Sequence, residues 1–490
     1  MHGPGINWRF VFRVGGLMLI LESLFMFVSA GVSYYYKESD THALLLSGGI
    51  SFLVGLGIAI PTGLRSRIKI IGKRESYISV FIAWFLFALF GSLPFFLSKE
   101  IPSFTDAFFE STSGITTTGS SILTDIDSFP KGLLFWRSLV QWLGGLGIVV
   151  FSLALLPLLG GEAGQLFDAE SSGLTRDKFR PRIAEIAKRL WGIYLGLTLL
   201  LVFLLSFGPM NWFDSICHAF TTISTGGFST KQTSIGFWNS AYVEGIIMLF
   251  MIIGAINFSL LYFLIKGRFR LFFKDEELRW YLGIIIIGSI LIAGLLSRDH
   301  FYSGWLTNIR NAFFQVISIF TTTGFSTGDF VQWGQLYWII FMFFMVICGC
   351  AGSTSGGMKT VRAVVLAKNT FAEFSRLIHP RAVIPVRLNG KALSFGVVQR
   401  LLAFAFLYIC IIFFSWLILS LAGMPILEAL GASVSGISNV GPGFGEVGPS
   451  GSYAGIPLFA KWYLCFLMIV GRLEIFTVLM LFSPTFWKEL

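Results

Sequence analysis

The segment Asp106-Ala107-Phe108-Phe109-Glu110-Ser111-Thr112-Ser113-Gly114-Ile115-Thr116-Thr117-Thr118-Gly119 decides the fold, because its frame recurs three more times. The four copies end at Gly119, Gly227, Gly324 and Gly441. Thirteen residues before each glycine stands a polar residue of helix-capping type: Asp106, Asp214, Asn311 and Glu428. A small residue follows it each time: Ala107, Ser215, Ala312 and Ala429. Four residues before each glycine comes an apolar one: Ile115, Ile223, Phe320 and Ile437. The residues leading into the glycine are Thr116-Thr117-Thr118, Ser224-Thr225-Gly226, Thr321-Thr322-Thr323 and Ser438-Asn439-Val440. Each copy reads as a short capped helix running into an extended loop. Glycine frees the loop for positive φ. Four such loops around one axis would form a ring of carbonyls able to replace an ion's hydration shell. The copies differ in detail. Gly226 adds a glycine, Val440 replaces a threonine and Pro442 follows Gly441, so the expected ring is only pseudo-fourfold.

The surrounding composition is that of a membrane protein. Hydrophobic residues make up 55% of the chain, charged residues 13%, and the mean hydropathy is +0.77. Apolar runs of about 20 residues recur, long enough to cross a ~30 Å hydrocarbon core. Ten spans are expected, near 10–34, 43–62, 77–98, 136–158, 187–208, 241–265, 279–297, 334–368, 396–422 and 456–482. The first reads as an uncleaved transmembrane helix rather than a signal peptide. The first two spans form a hairpin. The other eight form four pairs, each flanking one capped helix and its loop. The fold class is therefore all-α and polytopic: an N-terminal hairpin (1–75), then outer helix, pore helix, loop and inner helix four times (76–175, 176–275, 276–392 and 393–490). An internal repeat at intervals of about 100 residues decides this architecture.

Basic residues cluster after alternate spans: Arg65 to Arg74, Arg176 to Arg189, Lys266 to Lys274 and Lys359 to Lys391. The positive-inside rule makes that side cytoplasmic and places both termini there. The loops then enter from outside, and the pore helices direct their C-terminal ends towards a cation. The net charge of +10 is a topology signal under this reading and does not point to nucleic acid. Cys217, Cys348, Cys350, Cys410 and Cys465 have no metal-ligand spacing and no disulfide framework. Trp212 and Trp305 read as interface anchors, and His218 as pore-helix packing.

Three inner-helix segments stand out. Gln141-Trp142-Leu143-Gly144-Gly145-Leu146-Gly147 reads as small residues that let helices approach closely. Gly349-Cys350-Ala351-Gly352-Ser353-Thr354-Ser355-Gly356-Gly357-Met358-Lys359 interrupts the eighth span with polar, glycine-rich chain. Irregular backbone at membrane depth is tolerated where it is buried in protein or lines a watery cavity. A movable loop obstructing the path below the filter is expected. Arg472, in Val470-Gly471-Arg472-Leu473-Glu474, holds an intramembrane charge. It reads as a cation projecting below the filter or as the partner of Glu474 or another carboxylate. Gly471-Arg472 occupies the place of Gly144-Gly145, Gly254-Ala255 and Gly349-Cys350 in the other copies.

On these motifs, together with Gly471-Arg472-Leu473-Glu474-Ile475-Phe476, the chain resembles the bacterial TrkH-type potassium-uptake subunits of the Trk/Ktr/HKT superfamily of cation transporters. The resemblance covers essentially the whole chain, and the N-terminal hairpin favours the TrkH branch. It implies a K+ filter at Thr116, Thr117, Thr118, Gly119, Ser224, Thr225, Gly226, Gly227, Thr321, Thr322, Thr323, Gly324, Ser438, Asn439, Val440 and Gly441. It implies a gate at Gly349, Gly352, Ser353, Thr354, Ser355, Gly356, Gly357, Lys359 and Arg472. Plant relatives that admit sodium often carry serine where Gly119 stands, so the glycine favours potassium. The family also implies location in the bacterial inner membrane, a homodimer with one pore per protomer, K+ ions in the filter and no organic cofactor in this chain. Its partner is a cytoplasmic TrkA-like subunit binding nucleotide, NAD(H) or ATP/ADP. The chain itself carries no GxGxxG fingerprint after a strand.

The expected function is gated, K+-selective uptake. The alternative is a secondary symporter coupling K+ to H+ or Na+. A coupled carrier should show ionisable groups along its route; few stand inside the spans apart from Arg472 and Glu474, and no inverted repeat is seen. An enzyme is excluded for want of a nucleophile–base pair or metal cluster.

Overall fold

The computed structural model describes residues 6–63, 73–145, 147 and 183–487. Among the described residues the regular structure is helical, apart from a short β-hairpin pairing Arg387–Leu388 with Lys391–Ala392. Among the described residues six helices are long and apolar enough to cross a membrane: Trp8–Tyr36, Thr41–Thr62, Arg74–Leu97, Ala187–Leu205, Glu276–Arg298 and Phe395–Leu421. The chain is thus a multi-pass membrane protein.

Trp8–Tyr36 and Thr41–Gly63 form the N-terminal hairpin. Glycine permits their crossing, since a Cβ on Gly16 or Gly55 would lie under 3.0 Å from backbone of the facing helix. Asp40, buried in the connection, ties the hairpin to the bundle. Its carboxylate accepts from the Ser33 hydroxyl and, at 2.7 Å, from the Leu133 N–H.

Pore helices follow at Phe104–Ile115, Trp212–Ile223, Trp305–Phe320 and Ile426–Ser438. Each is followed by an inner helix: Lys131–Gly145, Ala241–Gly254, Gln335–Val346 and Leu458–Arg472. Trp212 and Trp305 are exposed at the starts of their pore helices.

Two expected continuous spans are corrected. The sixth breaks into Ala241–Gly254 and Phe258–Ile265, bent by 106°, and the tenth into Leu458–Arg472 and Ile475–Phe482, bent by 115°. The eighth is interrupted where expected, as a short helix ending at Val346 and a second beginning at Thr360. Apolar composition hid the sixth and tenth breaks. Backbone freed at the sixth and eighth is satisfied mutually: the Cys350 N–H donates to Ala255 and the Phe258 N–H to Gly352, at 2.9 and 3.0 Å. The later part of the expected span 136–158 and most of the basic segments 65–74 and 176–189 lie outside the described residues.

The capping assignment is also corrected. The first two pore helices are capped by Ser103 and Asn211, whose side chains accept from the N–H groups of Asp106 and Asp214. Asp106, Asp214 and Glu428 stand in first turns, and Asn311 inside the longer third helix. Their side chains serve elsewhere. Asp106 pairs with Lys461 at 2.6 Å, and the Glu446 N–H donates to Glu428 at 3.4 Å. Asp214 and Asn311 accept from Thr230 and Thr327 at 2.6 and 2.9 Å, strapping each departing loop to its own pore helix.

Asp40→Ala leaves the buried Leu133 donor without its acceptor and should cost about 1–3 kcal/mol. A lower Tm in detergent, with Asp40→Asn falling less, is the expected result; an alanine Tm equal to wild type contradicts the tie.

Candidate functional site

All four pore helices end the same way. The residue two before the glycine is left-handed each time: Thr117 (φ 53), Thr225 (φ 54), Thr322 (φ 61) and Asn439 (φ 54). The next N–H then reaches back to the helix: Thr118 to Ser113, Gly226 to Thr221, Thr323 to Ser318 and Val440 to Ser435. This is the 6→1 bond of a Schellman motif. Left-handed backbone suits asparagine, but a β-branched residue pays about 1–3 kcal/mol for it. Three threonines therefore hold strain at one level of the site. The glycines are left-handed as well, at φ 86, 77, 79 and 106.

The loops meet in a closed cycle. A Cβ on Gly119 would lie under 3.0 Å from the Gly226 carbonyl, one on Gly227 from that of Thr323, one on Gly324 from that of Val440, and one on Gly441 from that of Thr118. Each glycine thus abuts the carbonyl one residue before the next copy's glycine, from first to fourth and back to the first. Conformation and space both demand glycine at these four positions. Together they line one cavity, with Arg137, Lys231 and Tyr453 among the other lining residues.

The departures from symmetry have local causes. Gly226 lacks a side chain because Gln141 fills that place, donating to the Gly226 carbonyl at 2.7 Å and accepting from the Phe228 N–H at 3.0 Å. Thr118 and Thr323 pair their hydroxyls with Thr116 and Thr321 at 2.7 and 2.8 Å. Val440 needs no such partner, since Ser438 bonds Tyr408 at 2.7 Å instead. The Gly441 carbonyl accepts from Ser120, Ser435 and Tyr453 at 2.9, 2.9 and 3.0 Å. The Asn439 amide donates to Thr118 Oγ1 and to the Met468 carbonyl, both at 2.9 Å.

Braces that the sequence did not announce hold the outer limbs. Glu110 and Arg137, both buried, pair at 2.6 Å. Glu110 also accepts from Ser121 and the Ile122 N–H, while Arg137 donates to the Ser229 carbonyl at 2.8 Å and covers the Phe228 ring. The pair links the first two loops. His218 packs as expected, contacting the Asp214 carbonyl and Ser229 at 2.8 and 3.0 Å. Ionisable groups inside the bundle are more numerous than expected, since Glu22, Glu110, Arg137, Glu244 and Lys461 are all buried there. Hydropathy averages over 20 residues conceal single charges, although Glu22 and Arg137 each stand within an apolar run.

Below the ring, glycines of the inner helices press on the pore-helix ends. Gly144, Gly254 and Gly471 face the carbonyls of Ile115, Ile223 and Ile437, so the expected equivalence appears in space at three copies, while Gly349 of the third departs from it. Gly144 and Gly145 permit the close approach expected of them. The non-helical stretch between Val346 and Thr360 lies against the same ends. Thr354 donates to the carbonyls of Ile223 and Gly254, the Gly356 N–H donates to Thr322 Oγ1 at 3.0 Å, and a Cβ on Gly356 would strike the Ser438 carbonyl. Gly349 packs on Ser355 and Ala255, while Gly352 and Gly357 are left-handed, at φ 72 and 67. Ser353 and Ser355 bond each other, and Lys359 donates to the Ser355 carbonyl.

Arg472 binds this loop directly. Its guanidinium donates to the Thr354 carbonyl at 2.6 Å and to the carbonyls of Gly144 and Gly145. Glu474, named as an alternative partner for Arg472, pairs with Arg362 at 2.8 Å. Left-handed Glu474, at φ 66, turns the chain away after Arg472.

Comparison with known proteins gives this arrangement a family. The family model "TrkH: Cation transport protein" matches residues 56–489. The chain is 37% identical over 488 residues to the Trk system potassium uptake protein TrkH of Escherichia coli K12, covering 99% of this chain and all of the relative. It is 38% identical to the TrkH of Halomonas elongata, at 99% and 100% coverage. The crystal structure of the potassium transporter TrkH from Vibrio parahaemolyticus superposes with a TM-score of 0.89 at 36% identity, over 99% of this chain and all of that one. The chain belongs to the TrkH family of cation transport proteins, which are transporters rather than enzymes.

Removing one member of a buried ion pair strands the other, at about 3–5 kcal/mol. Arg137→Met should therefore cut the folded yield sharply, and adding Glu110→Gln should restore much of it. Thermal unfolding of both singles and the double checks this; additive losses would deny the coupling.

Proposed function

We propose that this member of the TrkH family takes up potassium through a selective, gated pore, with the four loops as its filter. The closed cycle of glycine-to-carbonyl contacts carries the reading. It draws four loops, each with a left-handed residue two before its glycine, into one backbone ring, the kind of arrangement by which carbonyls replace the hydration shell of a cation. Relatives named as potassium uptake proteins support potassium as the substrate. The resident ions are K+, held by filter residues of all four copies, and no organic cofactor is needed.

The gate is the loop from Gly349 to Lys359, clamped by Arg472. It occupies the space beneath three pore-helix ends, and every interaction that holds it is a hydrogen bond or close contact that a modest rearrangement could break. Arg472 adds a positive charge below the filter. In a confined site that charge opposes a cation by several kcal/mol at most, less where water screens it. A nucleotide-binding cytoplasmic subunit releases the loop through the helix Thr360–Ile378, which continues it. The Trk-system names of the relatives support such a multi-component assembly. The protein works as a homodimer in the bacterial inner membrane, with both termini cytoplasmic as the basic loops require.

A second reading, symport with H+ or Na+, is favoured by one observation: Glu22 is fully buried, and its carboxylate oxygens have no hydrogen-bond partner among the described residues. Reversal potentials under a proton or sodium gradient separate the two. A pore follows the K+ gradient alone.

Two substitutions test the main reading. Gly119→Ser places a side chain against the Gly226 carbonyl at φ 86 and should lower the K+/Na+ permeability ratio at least about tenfold. An unchanged ratio removes Gly119 from the filter. Arg472→Ala should raise K+ flux per folded protein by about tenfold, equivalent to ~1.4 kcal/mol off the barrier, and Arg472→Lys should keep the barrier. Lost yield without increased flux in the alanine variant makes Arg472 structural and sinks the barrier.

A further inference from the structure

An apolar groove of about 310 Å3 opens between the last turns of Trp8–Tyr36 and the first turns of the second pore helix. Val28, Val32, Phe135, Phe213 and Ile216 line it, and a Cβ on Gly31 would meet nothing within 4 Å. The groove faces outward: Val28 is exposed, and so are Tyr35 and Trp212, which complete its wall. Tyrosine and tryptophan of this kind sit at the headgroup level of a bilayer. Lys131 supplies the charge, its ammonium lying 4.1 Å from the centre of the Tyr36 ring, another wall of the groove. Exposed Lys37 follows Tyr36 in the chain. The nearby Asp40 carboxylate is already engaged by Ser33 and by the Leu133 N–H.

We propose that this groove is a binding site for one anionic phospholipid, an acyl chain along the apolar wall and the phosphate on Lys131. Among lipid tails an apolar surface has no hydrophobic reason to be covered, so shape and the headgroup contact provide the selectivity. A bound lipid would touch Trp212, Phe213 and Ile216, and so buttress the start of the pore helix that leads to the second loop. The open space at Gly31 makes the site testable without strain. Gly31→Leu fills the groove, and leucine is a better helix former than glycine.

The test is native mass spectrometry of the detergent-purified full chain titrated with phosphatidylglycerol or phosphatidylcholine. Wild type should retain one phosphatidylglycerol about tenfold more tightly than phosphatidylcholine. Gly31→Leu should lose retention of both, and Lys131→Ala should lose the preference while eluting as wild type does. Equal retention of phosphatidylglycerol by wild type and Gly31→Leu overturns the site. A Gly31→Leu variant that dissociates into single chains overturns it too, because the groove would then be covered by a second copy.

Discussion

The contact between a ring glycine and the carbonyl of the next loop is the constraint on which the rest of the molecule depends. With a Cβ under 3.0 Å from that carbonyl at every one of four junctions, the loops approach one another at backbone distance. Side chains cannot mediate such an approach. It requires each loop to arrive at one height and with one hand, and the Schellman endings of the pore helices deliver this. The left-handed threonines show that the geometry is imposed by the surroundings, since their own preferences oppose it.

What imposes it is polar and buried. The Glu110–Arg137 pair, Gln141, the three hydroxyls on the Gly441 carbonyl and the straps at Asp214 and Asn311 each fix one limb of one loop. These braces differ from copy to copy, as expected for four repeats that kept a backbone ring while their sequences diverged. Water cannot replace such bonds inside the bundle, so each brace missing would leave an unsatisfied group beside the ring. Beneath it, the interrupted third inner helix and Arg472 extend the same principle. Irregular backbone survives there because neighbouring carbonyls and a guanidinium satisfy it.

The sequence disclosed the repeat, the membrane class, the four glycines that meet in the ring and the polar break in the eighth span, because each is a local pattern. Glycine at four matched positions is legible wherever both conformation and space demand it. The partnerships were not legible. Arg472 and Glu474 stand two residues apart, yet the turn at Glu474 sends one to the loop and the other to Arg362. Asp106, Asp214 and Glu428 looked like caps because caps and first-turn acids share residue types; only the hydrogen bonds of Ser103 and Asn211 separate them. Bends of 106° and 115° escaped notice since both halves of each span are equally apolar.

The central claim is that the ring formed at Gly119, Gly227, Gly324 and Gly441 binds the transported cation directly. Anomalous diffraction from crystals of the full chain grown in rubidium or thallium tests it most directly. The account predicts a peak on the axis of the ring, at the level of the filter carbonyls, that disappears in sodium. An axis empty in rubidium and thallium, or a peak of equal height in sodium-matched density, would contradict it.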